Sequence, residues 1–215
     1  MTDLKYKKLV IDACNKMAKK SLTVSTWGNI SIRDPKTGYI YLTPSGMDYK
    51  KSTPNDIVVF NEKGIRFEGK RKPSIEKDMH IKIYQTRKDI NAVIHTHAIH
   101  STAVGVLGIS LPAITEEFAQ TIGEVAPICD YAIPGTPLLA DNVAKAFGEK
   151  NRAILLPSHG AICAADNIKM VLKQCDVLER ACEIYILAKS IGDVRVIPKE
   201  DAQHMFRFHN NQYGQ

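Results

Sequence analysis

Two histidines one residue apart, His95-Thr96-His97, are the first residues in this sequence with an evident chemistry. They close a run, residues 92–97, whose β-branched content predicts a strand, and on a strand residues i and i+2 point to the same face. Two imidazoles one pleat apart can bind one metal ion. A third, His159, stands in Leu156-Pro157-Ser158-His159-Gly160, just beyond the apolar strand predicted over 153–157. The end of a core strand can hold a ligand rigidly and still leave it accessible. A His-x-His pair is equally at home as a hydrogen-bonded surface pair, and the sequence does not place His159 beside it. Three imidazoles would suit zinc with an open fourth position, and also manganese, iron or cobalt.

Glu76 is the second feature. It falls in the first turn of a helix predicted to begin at Pro73-Ser74, with Ser74 as its N-cap, and to run to about Arg87. A carboxylate there either complements the helix dipole or, beside a metal, acts as a fourth ligand or proton shuttle. The third feature is a set of small polar turns: Thr26-Trp27-Gly28-Asn29, Thr43-Pro44-Ser45-Gly46 and Lys72-Pro73-Ser74. Each alone is an ordinary turn. Together their hydroxyls and backbone N–H groups can cradle a phosphate, and none matches a Walker A or dinucleotide fingerprint.

The elements that must position these groups are short and mixed. An amphipathic helix is predicted over 4–20, then two hairpins, 29–33 with 39–43 and 57–60 with 65–68. Beyond the strand at 92–97, helices are predicted from about Ser101, over 116–121 and over 137–147. A long helix capped by Asp166 carries Ile168, Val171, Leu172, Cys175, Leu178, Cys182 and Tyr185 on one stripe, and a last short helix lies near 201–208. Without strict βαβ alternation, this order predicts an α/β fold: a three-layer α/β/α sandwich around a mixed, largely antiparallel sheet.

Composition agrees with one domain over residues 1–215. With 44% hydrophobic and 24% charged residues, the chain is neither disordered, collagenous nor a coiled-coil rod. Its longest mostly apolar stretch, 103–114, is interrupted by glycines, Ser110 and Pro112 and is too short to span a bilayer. No apolar h-region follows the N-terminus, and five cysteines form no CxxC, so a reducing cytoplasm without disulfides is expected. The formal charge of +6 is mostly interleaved, the run Gly69-Lys70-Arg71-Lys72 reading as a solvated loop. That balance suits a small anionic substrate, with no zinc finger, RNP-like run or basic helix for nucleic acid. His80, His100, His204, His209 and Trp27 are expected to pack or to support the site.

Taken in order, Thr26-Trp27-Gly28-Asn29-Ile30-Ser31, Leu42-Thr43-Pro44-Ser45-Gly46, Pro73-Ser74-Ile75-Glu76, Val93-Ile94-His95-Thr96-His97-Ala98-Ile99-His100 and Ser158-His159-Gly160 resemble the class II aldolase/adducin family over nearly the whole chain. The resemblance implies one divalent metal ion per subunit, zinc first, held by His95, His97 and His159. Glu76 is implied as acid/base and as a ligand when substrate is absent. Gly28, Asn29, Ser45, Gly46 and Ser74 are implied to hold a substrate phosphate. It further implies reversible cleavage of a phosphorylated ketose, L-fuculose-1-phosphate or a similar 5-deoxyketose 1-phosphate, to dihydroxyacetone phosphate and an aldehyde through a metal-stabilised enediolate. A homotetramer with interfacial active sites is also implied. Two alternatives share the scaffold: a methylthioribulose-1-phosphate dehydratase or pentulose-phosphate 4-epimerase, and a non-catalytic adducin-like binding module. This sequence departs from the aldolase pattern at Ile75, where a second serine is usual, and at Glu116, where a catalytic tyrosine is usual. Glu116 and the tail residue Tyr213 are accordingly the candidates for the aldehyde-side proton.

Overall fold

In the computed structural model, which describes residues 2–212, Val10, Ala13, Cys14 and Met17 recur at helical spacing and bury one face of α1 (Leu4–Lys19), whose N-terminus Asp3 caps through Lys5 N–H. There follow β1 (Asn29–Arg33), β2 (Ile40–Leu42), β3 (Val58–Phe60), β4 (Arg66–Glu68), α2 (Lys77–Thr86), β5 (Ala92–Thr96) and α3 (Ile99–Val106). Then come β6 (Leu111–Pro112), α4 (Glu116–Thr121), β7 (Val125–Ala126), α5 (Pro137–Phe147), β8 (Ala153–Leu156), β9 (Gly160–Ala165), α6 (Ile168–Ile191) and α7 (Lys199–Gln212).

Among the described residues, seven strands form one sheet in the order β4-β3-β2-β1-β5-β9-β8, antiparallel at every pairing. β6 and β7 form a small pair of their own. Alternation along the strands supplies two apolar faces. On one, Ile30, Ile32 and Ile94 meet Val10 and Met17 of α1 and Cys175, Leu178 and Cys182 of α6. On the other, Ile40, Val93, Ile154 and Ile162 meet Met79 and Ile83 of α2 and Leu139, Val143 and Phe147 of α5. Helices therefore cover both faces, as the three-layer expectation required.

Three local readings need correction. No strand is predicted after His159, yet Gly160–Ala165 is a core strand, missed because its small apolar residues lack alternation and are poor in β-branching. α6 is capped by Asn167, which accepts from Met170 N–H, and not by Asp166. α2 begins at Lys77, so Ser74 is not its N-cap and Glu76 stands at the cap position, outside the first turn. The five cysteines are buried and free.

Candidate metal centre and anion pocket

β5 lies between β1 and β9, with His95 opposite Asn29 on one side and Ile162 on the other. His95 follows Val93 by two residues and so shares the face covered by α2. His97 lies just beyond the strand, its N–H held by the Leu22 carbonyl at 3.1 Å. Pairing β9 to β5 is what brings His159 in. Ser158, at φ 54°, turns the chain between β8 and β9, and Gly160 lets β9 press against β5: a Cβ there would sit 2.2 Å from the Thr96 carbonyl oxygen. The three rings then stand 4.6 Å (His95–His97), 4.7 Å (His95–His159) and 4.9 Å (His97–His159) apart, centroid to centroid.

Glu76 reaches the same point from α2. Although it occupies the N-cap position, its carboxylate makes no capping bond. Oε2 accepts from Asn29 Nδ2 at 2.8 Å and lies 3.4 Å from His95 Nε2; Oε1 lies 3.0 Å from His159 Nε2. One ligand atom from each of Glu76, His95, His97 and His159 fits within 4.8 Å of the others.

The donor set fits a cation. His95 Nδ1 faces the Ala161 carbonyl at 2.9 Å and must donate to it, which leaves Nε2 of a neutral ring as a lone pair. That lone pair faces a carboxylate. His95 Nε2 and Glu76 Oε1 are buried and lack any hydrogen-bond partner of acceptable geometry. His95 Nε2 and Glu76 Oε2, 3.4 Å apart, are both acceptors, and two acceptors confronting each other in the interior are unfavourable unless a positive centre lies between them. Burial lowers the pKa of His95 against the opposing pull of Glu76, and burial, aided by His95 and His159, brings His97 to about 3. Burial also pushes Glu76 upward, but His95, His159 and the Asn29 hydrogen bond outweigh it and hold the carboxyl well below its usual range. Neutral imidazoles with an ionised carboxylate are what a divalent ion binds.

The centre opens on a cavity of about 1120 Å³, lined by Glu76, His97 and His159 together with Gly28, Asn29, Ser45, Gly46 and Ser74. The three polar turns are tied to one another. Ser45 N–H donates to the Lys72 carbonyl at 2.9 Å and Ser74 N–H to the Thr43 carbonyl at 3.2 Å. Tyr49 O–H donates to the Gly28 carbonyl at 2.7 Å. Gly28 has φ 75°, and a Cβ there would stand 2.7 Å from the His95 carbonyl oxygen. No side chain can be accommodated where this turn crosses β5.

Other candidates lie elsewhere. Glu116 is exposed on the first turn of α4 and does not line the cavity; Tyr213 is outside the described residues. Ile75 puts an exposed apolar side chain on the cavity wall. Trp27 is not a packing residue: it is 62% exposed on the rim, its ring 5.3 Å from that of His97. His100 donates through Nδ1 to Glu179 at 2.8 Å, and the same carboxylate accepts from the His100 and Ser101 N–H groups at the start of α3. His80 is fully buried behind Asn29, and burial lowers its pKa to about 3. The sequence signal for His80 was available, since Glu76, His80 and Tyr84 recur every fourth residue.

The sequence pattern described as the Class II Aldolase and Adducin N-terminal domain matches residues 8–186. The chain is 38% identical over 200 residues to the 5-deoxy-D-ribulose 1-phosphate aldolase of Bacillus thuringiensis serovar kurstaki, covering 93% of this chain and 92% of that protein. It is 38% identical over 199 residues to the L-fuculose phosphate aldolase of Escherichia coli strain K12, covering 92% and 90%. A solved structure of L-fuculose 1-phosphate aldolase superimposes with a TM-score of 0.94 at 36% identity, over 98% of each chain.

Proposed function

The chain belongs to the class II aldolase and adducin family, and from that premise we propose that it reversibly cleaves a 5-deoxyketose 1-phosphate or L-fuculose-1-phosphate to dihydroxyacetone phosphate and a short aldehyde. It is a class II aldolase, a carbon–carbon lyase of ketose phosphates. The observation that carries the reading is the convergence of Glu76, His95, His97 and His159, with unpartnered buried donor atoms, at the foot of a cavity lined by polar turns.

His95, His97, His159 and Glu76 would hold the divalent ion, zinc first, with manganese, cobalt or iron as substitutes. Bound there, such an ion supplies Lewis-acid stabilisation, worth several kcal/mol, of the negative charge that grows on the carbonyl oxygen as the carbon–carbon bond breaks. Gly28, Asn29, Ser45, Gly46 and Ser74 bind the phosphate and so fix the reacting carbons against Glu76. In the condensation direction the ionised Glu76 removes the proton from the nucleophilic carbon; in cleavage, by microscopic reversibility, the protonated carboxyl returns it there. Its Oε1, which Asn29 does not engage, is the oxygen suited to this. Glu116 or Tyr213, reaching over from a neighbouring subunit, exchanges the proton of the aldehyde oxygen. A homotetramer with interfacial sites is supported by the exposed apolar rim of the cavity, Val24, Trp27, Ile75 and Ile99, each more than 60% exposed in the single chain. A cytoplasmic setting suits five buried free thiols, and no helix among the described residues is long and apolar enough to cross a membrane.

The test is product analysis by NMR with zinc-loaded protein on 5-deoxyribulose-, L-fuculose- and methylthioribulose-1-phosphates, with and without a chelator. Triose phosphate plus aldehyde, lost on chelation and restored by zinc or manganese, is expected. An uncut carbon skeleton would move the chemistry to dehydration or epimerisation. Full turnover by metal-free protein would end the reading.

A further inference from the structure

α2 and β1 lie against each other with nearly matched repeats. Four helical residues rise about 6 Å and two strand residues about 6.6 Å. Glu76, His80 and Tyr84 can therefore step along Asn29, Ser31 and Arg33 in register. They do so in a continuous chain. Asn29 Nδ2 donates to Glu76 Oε2 at 2.8 Å, and Asn29 Oδ1 meets His80 Nε2 at 2.5 Å. His80 Nδ1 lies 2.7 Å from Ser31 Oγ, which lies 2.8 Å from Tyr84 Oη. Tyr84 Oη is also 3.0 Å from the Ser31 carbonyl. Arg33 closes the far end, its guanidinium 5.1 Å from the Tyr84 ring centroid and donating to the Tyr84 carbonyl at 2.9 Å. Asn29, Ser31, His80 and Tyr84 are all buried.

The direction of every proton follows from its neighbours. A carboxylate only accepts, so Asn29 turns its Nδ2 to Glu76 and its Oδ1 to His80. An oxygen at that position requires His80 Nε2 to carry the proton. A neutral ring then has Nδ1 as acceptor, so Ser31 O–H donates to it, and the single Tyr84 O–H is shared between Ser31 Oγ and the Ser31 carbonyl oxygen. The donors of Ser31, His80 and Asn29 all point toward Glu76. Nothing in this chain bonds to Glu76 Oε1.

We propose that His80 is a positioning residue for the reaction centre, acting through Asn29. It holds the Asn29 amide so that an N–H, not a carbonyl, meets Glu76 and the cavity, and thereby fixes which carboxylate oxygen the amide engages. The inference rests on the reading that Glu76 carries the proton chemistry. Without His80 the amide oxygen loses its donor, and the Glu76 carboxylate is the one group of this network left to orient the amide.

The test combines kinetics with a signature independent of activity. In 15N NMR of the wild-type protein, the His80 ring is expected as the Nε2–H tautomer. His80→Leu should keep its metal content and lose about 10- to 100-fold in kcat, as a displaced charge-assisted hydrogen bond predicts. His80→Gln, which restores a donor toward Asn29, should recover to within about threefold of wild type. In an Asn29→Ala background, His80→Leu should add little, because the two act as one unit. An Nδ1–H tautomer, an unchanged kcat in a folded His80→Leu, or simple additivity with Asn29→Ala would each overturn the proposal. The tautomer decides alone if the leucine variant does not fold. Glu76→Gln separates the two levels: near-complete loss of turnover in it beside an unaffected His80→Leu refutes the positioning role only, whereas retained turnover removes the reading beneath it.

Discussion

Glu76 and Glu116 both stand at the start of helices, and the molecule uses their carboxylates in opposite ways. At α4 the capping is done by Thr115, whose Oγ1 accepts from Phe118 N–H, and Glu116 sits exposed beside the positive end of the helix dipole. At α2 the cap position itself is Glu76, yet its side chain leaves the helix N–H groups alone and turns to Asn29, His95 and His159. A helix start therefore does not decide what an acidic residue does. The groups facing it do: solvent in one case, two imidazoles and an amide in the other.

The contrast can be broken at either end. Glu76→Gln should keep the metal and lose about 10²- to 10⁴-fold in kcat, the usual worth of a positioned acid–base group; metal analysis with steady-state kinetics reads both. A loss confined to KM would mean that Glu76 only binds. Glu116→Gln should lose less, about 10-fold or more, and its defect should be repaired from the neighbour. Mixed oligomers of Glu76→Gln and Glu116→Gln subunits are expected to turn over faster than either parent. Failure to complement would confine Glu116 to its helix, where removing its charge costs only about 0.3–1 kcal/mol in a urea melt.

A smaller effect separates the buried end of the site by pH. His80 has a pKa of about 3 in the fold against about 6.5 in an unfolded chain. Above 6.5 its contribution to stability is complete. As the pH falls from 6.5 toward 3, the unfolded state takes up a proton that the folded state refuses, and stability declines. Urea unfolding at pH 7.5 and 5.0 should therefore show a steeper loss in wild type than in His80→Gln. Equal slopes would show that His80 protonates freely in the fold.

Much of this was legible in the residues. Period-2 alternation set His95 and His97 on one side of their segment, and the three polar turns singled out in the sequence are ones that the structure gathers, with Glu76, around one cavity. Two things were not. Asn29-Ile30-Ser31-Ile32-Arg33 alternates polar and apolar residues as a strand, yet all five residues are buried, the polar ones against His80 and Tyr84 of α2. Where Glu116, the candidate for the aldehyde-side proton, stands was not legible either: it lies away from the cavity of its own chain.

What the sequence determined by itself is local: which residues share a face, where the chain must turn, and which groups have lone pairs to offer. Those follow from steric limits on neighbouring dihedrals, and they hold wherever the segment is placed. Only the tertiary structure decided that His159, more than sixty residues from His95, reaches it through the pairing of β9 with β5, and that Glu76 meets both from the start of α2, packed on the sheet face that His95 shares. Strand register and helix packing fix distances between segments that no local preference encodes, because they depend on how the whole core closes.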